Sequence, residues 1–243
     1  MNKSALLAQT RAELALTLRR GESLIVTLVI PIGILVFFAK VDTIATDYKH
    51  PVDFLVPGVL ALAVMSAAMV SLGIATGFER RYNVLKRLGT TPLSRGGLLV
   101  AKTATILLLE AVQAIAIIAT GAALGWHVPA GVGLALALLL LGTIAFAGVG
   151  LLFAGTLRAE ANLALANGLF LVLLFLGGMA YPLSKLPGPL EAFARLLPAA
   201  ALSECVRGVL TSGRSFPTGS LVVLVVWAVA APLAAVHWFR WEE

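Results

Sequence analysis

Apolar residues run in long uninterrupted stretches along this chain, with the polar positions gathered between them. A bilayer span takes about 20 predominantly apolar residues. Six segments meet that requirement: 23–39, 54–78, 98–124, 131–157, 161–183 and 219–239. The first is the shortest, and Pro31 and Gly33 within it predict a kink. Residues 184–218 are too broken to span, because Pro187, Pro189, Pro198 and Pro217 fall there among several charges. Two short helices, 189–197 and 199–210, are expected in that region, lying in or dipping into the interface. Pro189 suits a first helical position, and Glu191 and Arg195 stand four apart as a stabilising pair. Ahead of the first span, Leu7, Leu14 and Leu18 form a stripe at helical spacing beside Lys3, Arg11, Arg19 and Arg20. That pattern suits a helix over 4–20 lying on the membrane surface. The plainer alternative is a frayed tail.

Composition narrows the class. Of 243 residues, 60% are hydrophobic and 12% charged, with a mean hydropathy of +0.98. A soluble domain carries about 25% charged residues, so an ordinary soluble fold is excluded. The apolar content equally excludes intrinsic disorder. The expected fold is an all-α membrane protein of six transmembrane helices, built as one transmembrane domain. It carries an N-terminal interfacial helix (1–22), a cytoplasmic loop with a helix (79–97) and an outer helical region (184–218).

The net charge of +6 is read as loops facing anionic membrane lipid, with no nucleic-acid partner. With the N-terminus inside, twelve of the 18 Lys and Arg residues fall on the cytoplasmic side, six of them between Arg80 and Lys102. Both termini are therefore expected in the cytoplasm. Trp126, Tyr181, Trp238 and Trp241 lie at span ends, as interfacial aromatics do. The single Cys205 forbids a disulfide within the chain and reads as a small apolar residue. No cleavable signal peptide is evident, since the first apolar run begins at Leu24, behind Arg19 and Arg20.

Enzyme signatures are missing from the sequence. There is no GxxxxGK[ST] loop to cradle nucleotide phosphates, no HExxH and no GxSxG. His50, His127 and His237 sit at three separate span ends, so no metal site and no catalytic residue is expected. Inside the spans one carboxylate stands out. Glu110 lies about 12 Å deeper than Lys102 at the helical rise, and an intramembrane acid is a functional candidate by default. Thr103 and Gln113 fall on nearly the same helix face, and the three are a candidate substrate path. The alternative is a structural acid bonded to a neighbouring span. Lys102 is expected to snorkel to the cytoplasmic surface. Gly73-xxx-Gly77 and Gly121-xxx-Gly125 permit close helix contact, and Asn162 and Asn167 are candidates for bridging helices.

The loop GFERRYNVLKRLGTTPLSRGGLLVAK (77–102) holds a short helix in which Val84, Leu85 and Leu88 share one face, with Arg80, Arg81, Lys86 and Arg87 around the rest. Gly89 suits its stop and Thr91-Pro92 a new start. Such an apolar knob suits docking into a groove on a soluble partner. A loop that only sets topology remains open as the other reading.

ERRYNVLKRLGTTPLSR resembles the signature of ABC type-2 transporter permeases, the export class that includes drug, lipid and polysaccharide exporters. LVLLFLGGMAYPLSKLPGPLEAFARLLPAAALSECVRGVL (171–210) is similar to a second stretch of the same family: Gly177 and Gly178, Tyr181-Pro182, a Pro-led short helix, Pro198, and Glu204 with Arg207. The resemblance covers nearly the whole chain. It implies that 79–88, including Glu79, is a coupling helix contacting a separate ABC ATPase subunit. It also implies that 184–210 is a re-entrant hairpin, with Tyr181, Pro182, Pro198, Glu204 and Arg207 forming an outer gate. The implied unit is two permease halves, the same or homologous, with two ATPase subunits holding ATP and Mg; this chain binds no cofactor. The implied setting is a bacterial plasma membrane and the implied cargo an amphiphilic drug-like compound or lipid. The short outer loop 40–53 leaves out the large extracellular domain of some members. Rival classes are a self-sufficient channel or secondary transporter, which needs ion-coupling charges near the midplane, and a non-transporting scaffold.

Overall fold

The computed structural model describes residues 10, 11, 14, 15, 21–41, 50–85, 95–127, 131–211 and 215–240, with 21–27 and 95–100 described by their backbone alone. Every regular element among the described residues is helical. Helix α1 is Gly21–Lys40, α2 Pro51–Arg81, α3 Arg95–Ala123, α4 Val132–Thr156 and α5 Ala159–Leu176. A 3-10 turn at Leu183–Lys185 leads into α6 (Gly188–Ala194) and α7 (Pro198–Leu210), and α8 is Thr218–Trp238. Five of these, α2, α3, α4, α5 and α8, are long and apolar enough to cross a bilayer. The expected first span falls in α1, a 20-residue helix that runs through Pro31. Of the expected N-terminal interfacial helix, only 10, 11, 14 and 15 are described, and they are helical.

Boundaries follow local chemistry. Pro189 and Pro198 occupy the first turns of α6 and α7, where a missing N–H costs nothing. Arg195 donates to Glu191 at 2.6 Å across one turn of α6. One expected boundary is wrong: the fifth span does not reach residue 183. α5 ends at Leu176 because Gly177 and Gly178 turn the chain, Gly178 with a φ of 65°, a left-handed conformation that glycine alone adopts without strain.

α2 is the most enclosed span. In its apolar window 83% of residues are buried, against 22% in α5 and in α8. Its middle, Ser66–Ser71, is a π-helical turn, and there α2 meets α4 backbone to backbone. A Cβ on Gly150 would stand 2.6 Å from the Met69 carbonyl oxygen, and one on Gly73 2.9 Å from that of Gly150. The side chain of Asn162 on α5 donates to the Gly73 carbonyl at 2.8 Å, bridging helices as expected. Asn167 instead bonds Leu163 within its own helix. α4 packs most extensively on α8, and α7 is enclosed by α2, α4 and α8. α7 is thus no surface helix: Ala199 to Ser203 and Cys205 to Arg207 are all buried.

The α2–α4 crossing predicts a sharp contrast between two glycines. Gly150→Ala must push backbone aside and is expected to cost about 1–3 kcal/mol. Gly33→Ala meets nothing within 4 Å and should be neutral or stabilising, since alanine is the better helix former. Thermal unfolding of the two variants in detergent measures this; equal melting temperatures would contradict the crossing.

Candidate functional site

Four segments converge on the last turn of α2. Arg80 is only 4% exposed. Its Nη2 donates to the Leu157 carbonyl in the α4–α5 turn at 2.5 Å, and its Nη1 lies 3.5 Å from the carbonyl oxygen of Arg240 beyond α8. Arg81 pairs with Glu160 at the start of α5. Glu79 pairs with Lys102 of α3 at 2.5 Å. Lys102 does not snorkel outward: it is 3% exposed, and the Glu79 carboxylate compensates its charge where it stands. Glu79, Arg80 and Arg81 therefore belong to the end of a membrane span and clamp it to its neighbours, and the expected helix over 79–88 is interrupted at Tyr82–Asn83, with helix resuming at Val84 and Leu85. The break comes at Asn83, whose φ of 57° turns the chain; asparagine tolerates that conformation. Tyr82 and Val84, on either side of it, are exposed, while Leu85 is 2% exposed and does not face water. Lys86, Arg87 and Leu88 lie outside the described residues.

In the middle of the bundle, Glu110 is 8% exposed, and the Thr143 hydroxyl of α4 donates to its Oε2 at 2.5 Å. It lines a cavity between α2, α3 and α4. Gln113 is also buried, but it faces a different crevice, beside Leu28, Pro31 and Ile32 of α1. Thr103 is partly exposed two turns nearer the start of α3. The expected polar face is thus divided between two crevices: the three-residue offset between Glu110 and Gln113 turns them toward different neighbours. Thr143, one hydroxyl in an apolar run, is the partner that sequence reasoning missed; its only signal was that isolation.

At the opposite end of α2, Arg207 is 1% exposed. Its Nη2 donates to the Gly178 carbonyl at 2.7 Å and its Nη1 to Glu204 at 2.9 Å. The guanidinium also lies 4.1 Å from the centre of the Phe54 ring at the start of α2. Ser203 donates to the Gly177 carbonyl at 2.5 Å. Glu204 and Arg207 therefore tie the turn preceding Tyr181-Pro182 to α7 and α2. Pro198 is buried at the head of α7, and Tyr181 is exposed.

Apolar helices of spanning length around buried ion pairs make this an integral membrane protein. The sequence profile of the ABC-2 type transporter family matches residues 4–211. That is most of the chain, which belongs to the ABC-2 type transporter family. A search of curated proteins finds no match. The chain is accordingly a permease subunit of an ABC transporter, from a family that normally works with an ABC ATPase.

The tie made by Arg207 has a measurable signature. Arg207→Lys keeps a positive charge but loses the planar fork and leaves buried acceptors unmet, at an expected cost of about 1–3 kcal/mol. Glu204→Gln, on a side chain 20% exposed, should cost less than Arg207→Lys. Melting temperatures of the two variants decide it, and equal losses would contradict the tie.

Proposed function

We propose that this chain is the membrane half of an ATP-driven exporter in a bacterial plasma membrane. A separate ABC ATPase subunit docks on its cytoplasmic corner, and a second permease, the same or homologous, pairs with it in the membrane. α1 supplies the sixth span, both termini face the cytoplasm, and residues 1–22 lie along the inner surface. The observation that carries the reading is the corner around Arg80, Glu79 and Arg81. A push delivered just past Asn83 reaches three neighbouring segments at once, because the end of α2 is bound to Leu157, Glu160 and Lys102.

The same helix carries motion outward. Phe54 at its other end lies under Arg207, so displacement of α2 bears on the α5–α7 region, read here as a re-entrant hairpin closing the exit. Alternating access then follows from ATP-driven movement of the two ATPase subunits. Glu110 borders the substrate path, and the cargo is amphiphilic.

The docking surface is shifted from the sequence-based expectation. Val84, exposed, is the contact residue, and Leu85 is part of the permease interior. Burying a valine side chain is worth about 1.5–3 kcal/mol, so Val84→Asp should weaken capture of the ATPase by about tenfold while the permease still inserts. Leu85→Asp should instead lower the yield of folded permease. A pull-down of the ATPase on each variant, read against permease level, tests this. Undiminished capture by Val84→Asp would remove the docking assignment.

A further inference from the structure

α3 and α4 follow one another in the chain, yet they touch only sparingly. Between them, with α2 behind, lies a cavity of about 120 Å³ walled by Leu60, Val64, Leu107, Leu136 and Leu140. Leu136 and Leu140 are 50% and 45% exposed, so its mouth opens sideways, onto the surface that the spans turn to the acyl chains. An apolar cavity of about 150 Å³ takes a molecule the size of benzene, and this one is of that order.

A single polar group reaches into these walls, the carboxyl of Glu110. Thr143 satisfies Oε2. Oε1 is buried and has no hydrogen-bond partner among the described residues. A carboxyl oxygen left unpaired in apolar surroundings is costly, and a donor brought to it would offset that cost. We propose that the crevice between α3 and α4 is a binding site for the basic nitrogen of a hydrophobic amine, which enters sideways from the bilayer. The nitrogen meets Glu110 Oε1, and the apolar part lies along Leu60, Val64, Leu136 and Leu140. An amine and a carboxyl share one proton whichever partner holds it, so the pair brings no net charge into the membrane. An alcohol offers a donor without a base. A metal ion needs several ligands, and no group of three candidate ligands occurs among the described residues. This inference rests on the exporter reading for its purpose, but binding is measured apart from transport.

The test uses the full-length chain in phosphatidylcholine nanodiscs, a lipid without N–H donors. Cys205 is replaced by alanine and Ala111, which lines the crevice, by cysteine. The reaction of the introduced thiol with N-ethylmaleimide is then followed. Dodecylamine is expected to slow the reaction about tenfold, equivalent to about 1.4 kcal/mol; dodecanol should leave it nearly unchanged. Glu110→Gln should abolish the protection. Leu140→Trp, which narrows the mouth without touching the carboxyl, should weaken it and serves if the first variant assembles poorly. Protection by phosphatidylethanolamine alone would support the amine chemistry and assign its source to lipid. Equal protection by dodecanol, or full protection in Glu110→Gln, would overturn the proposal. Loss of transport in Glu110→Gln without protection by the amine would also overturn it and leave the substrate path standing. Protection in a chain that captures no ATPase would support the site and remove the exporter reading.

Discussion

The crossing of α2 and α4 is the contact on which the rest of the architecture depends. Within a bilayer, lipid tails are as apolar as leucine, so helices associate through close packing and hydrogen bonds. Here the backbones touch: the carbonyls of Met69 and Gly150 occupy the space where a side chain on Gly150 or Gly73 would stand. The π turn at Ser66–Ser71 carries the Met69 carbonyl at the crossing, and Asn162 adds a buried hydrogen bond from a third helix. With its middle fixed, α2 becomes a rod buried for most of its length.

Both ends of that rod are held by cations taken out of water. At its C-terminal end, Arg80 and Lys102 are buried against carbonyls and a carboxylate; at its N-terminal end, Arg207 is buried against Gly178, Glu204 and Phe54. Removing one partner of such an arrangement leaves a buried charge uncompensated, which is strongly destabilising. That asymmetry suits a helix that must move as a unit. Its C-terminal end meets the place where an ATPase is proposed to push, and its N-terminal end meets the turn proposed to open. The proposed source of energy is a separate ATPase, with which this family normally works.

The spans were legible because hydropathy alone reports them: five of the six expected segments coincide with spanning-length helices to within a few residues, apart from the early end of α5. The two short helices before α8 were legible from their prolines. The charges were misread. Arg80 and Lys102 look like exposed residues of a basic loop until Leu157, Arg240 and Glu79 are seen beside them, and the contacts of Arg80 join positions 77 and 160 apart in sequence. Periodicity placed Leu85 on an exposed knob, because it assumed one helix from 79 to 88 and could not see the left-handed Asn83. Glu110 was visible as an anomaly in an apolar run, whereas its partner Thr143 and its separation from Gln113 depend on which helices flank α3.

The central claim is that this permease moves an amphiphile outward with energy supplied by a separate ATPase. Uptake of a fluorescent hydrophobic amine into inside-out vesicles containing this chain and its ATPase measures it most directly. The account predicts accumulation that requires added ATP and both chains, and that stops when the ATPase is made unable to hydrolyse. Uptake by this chain alone, driven by an ion gradient without ATP, would contradict it.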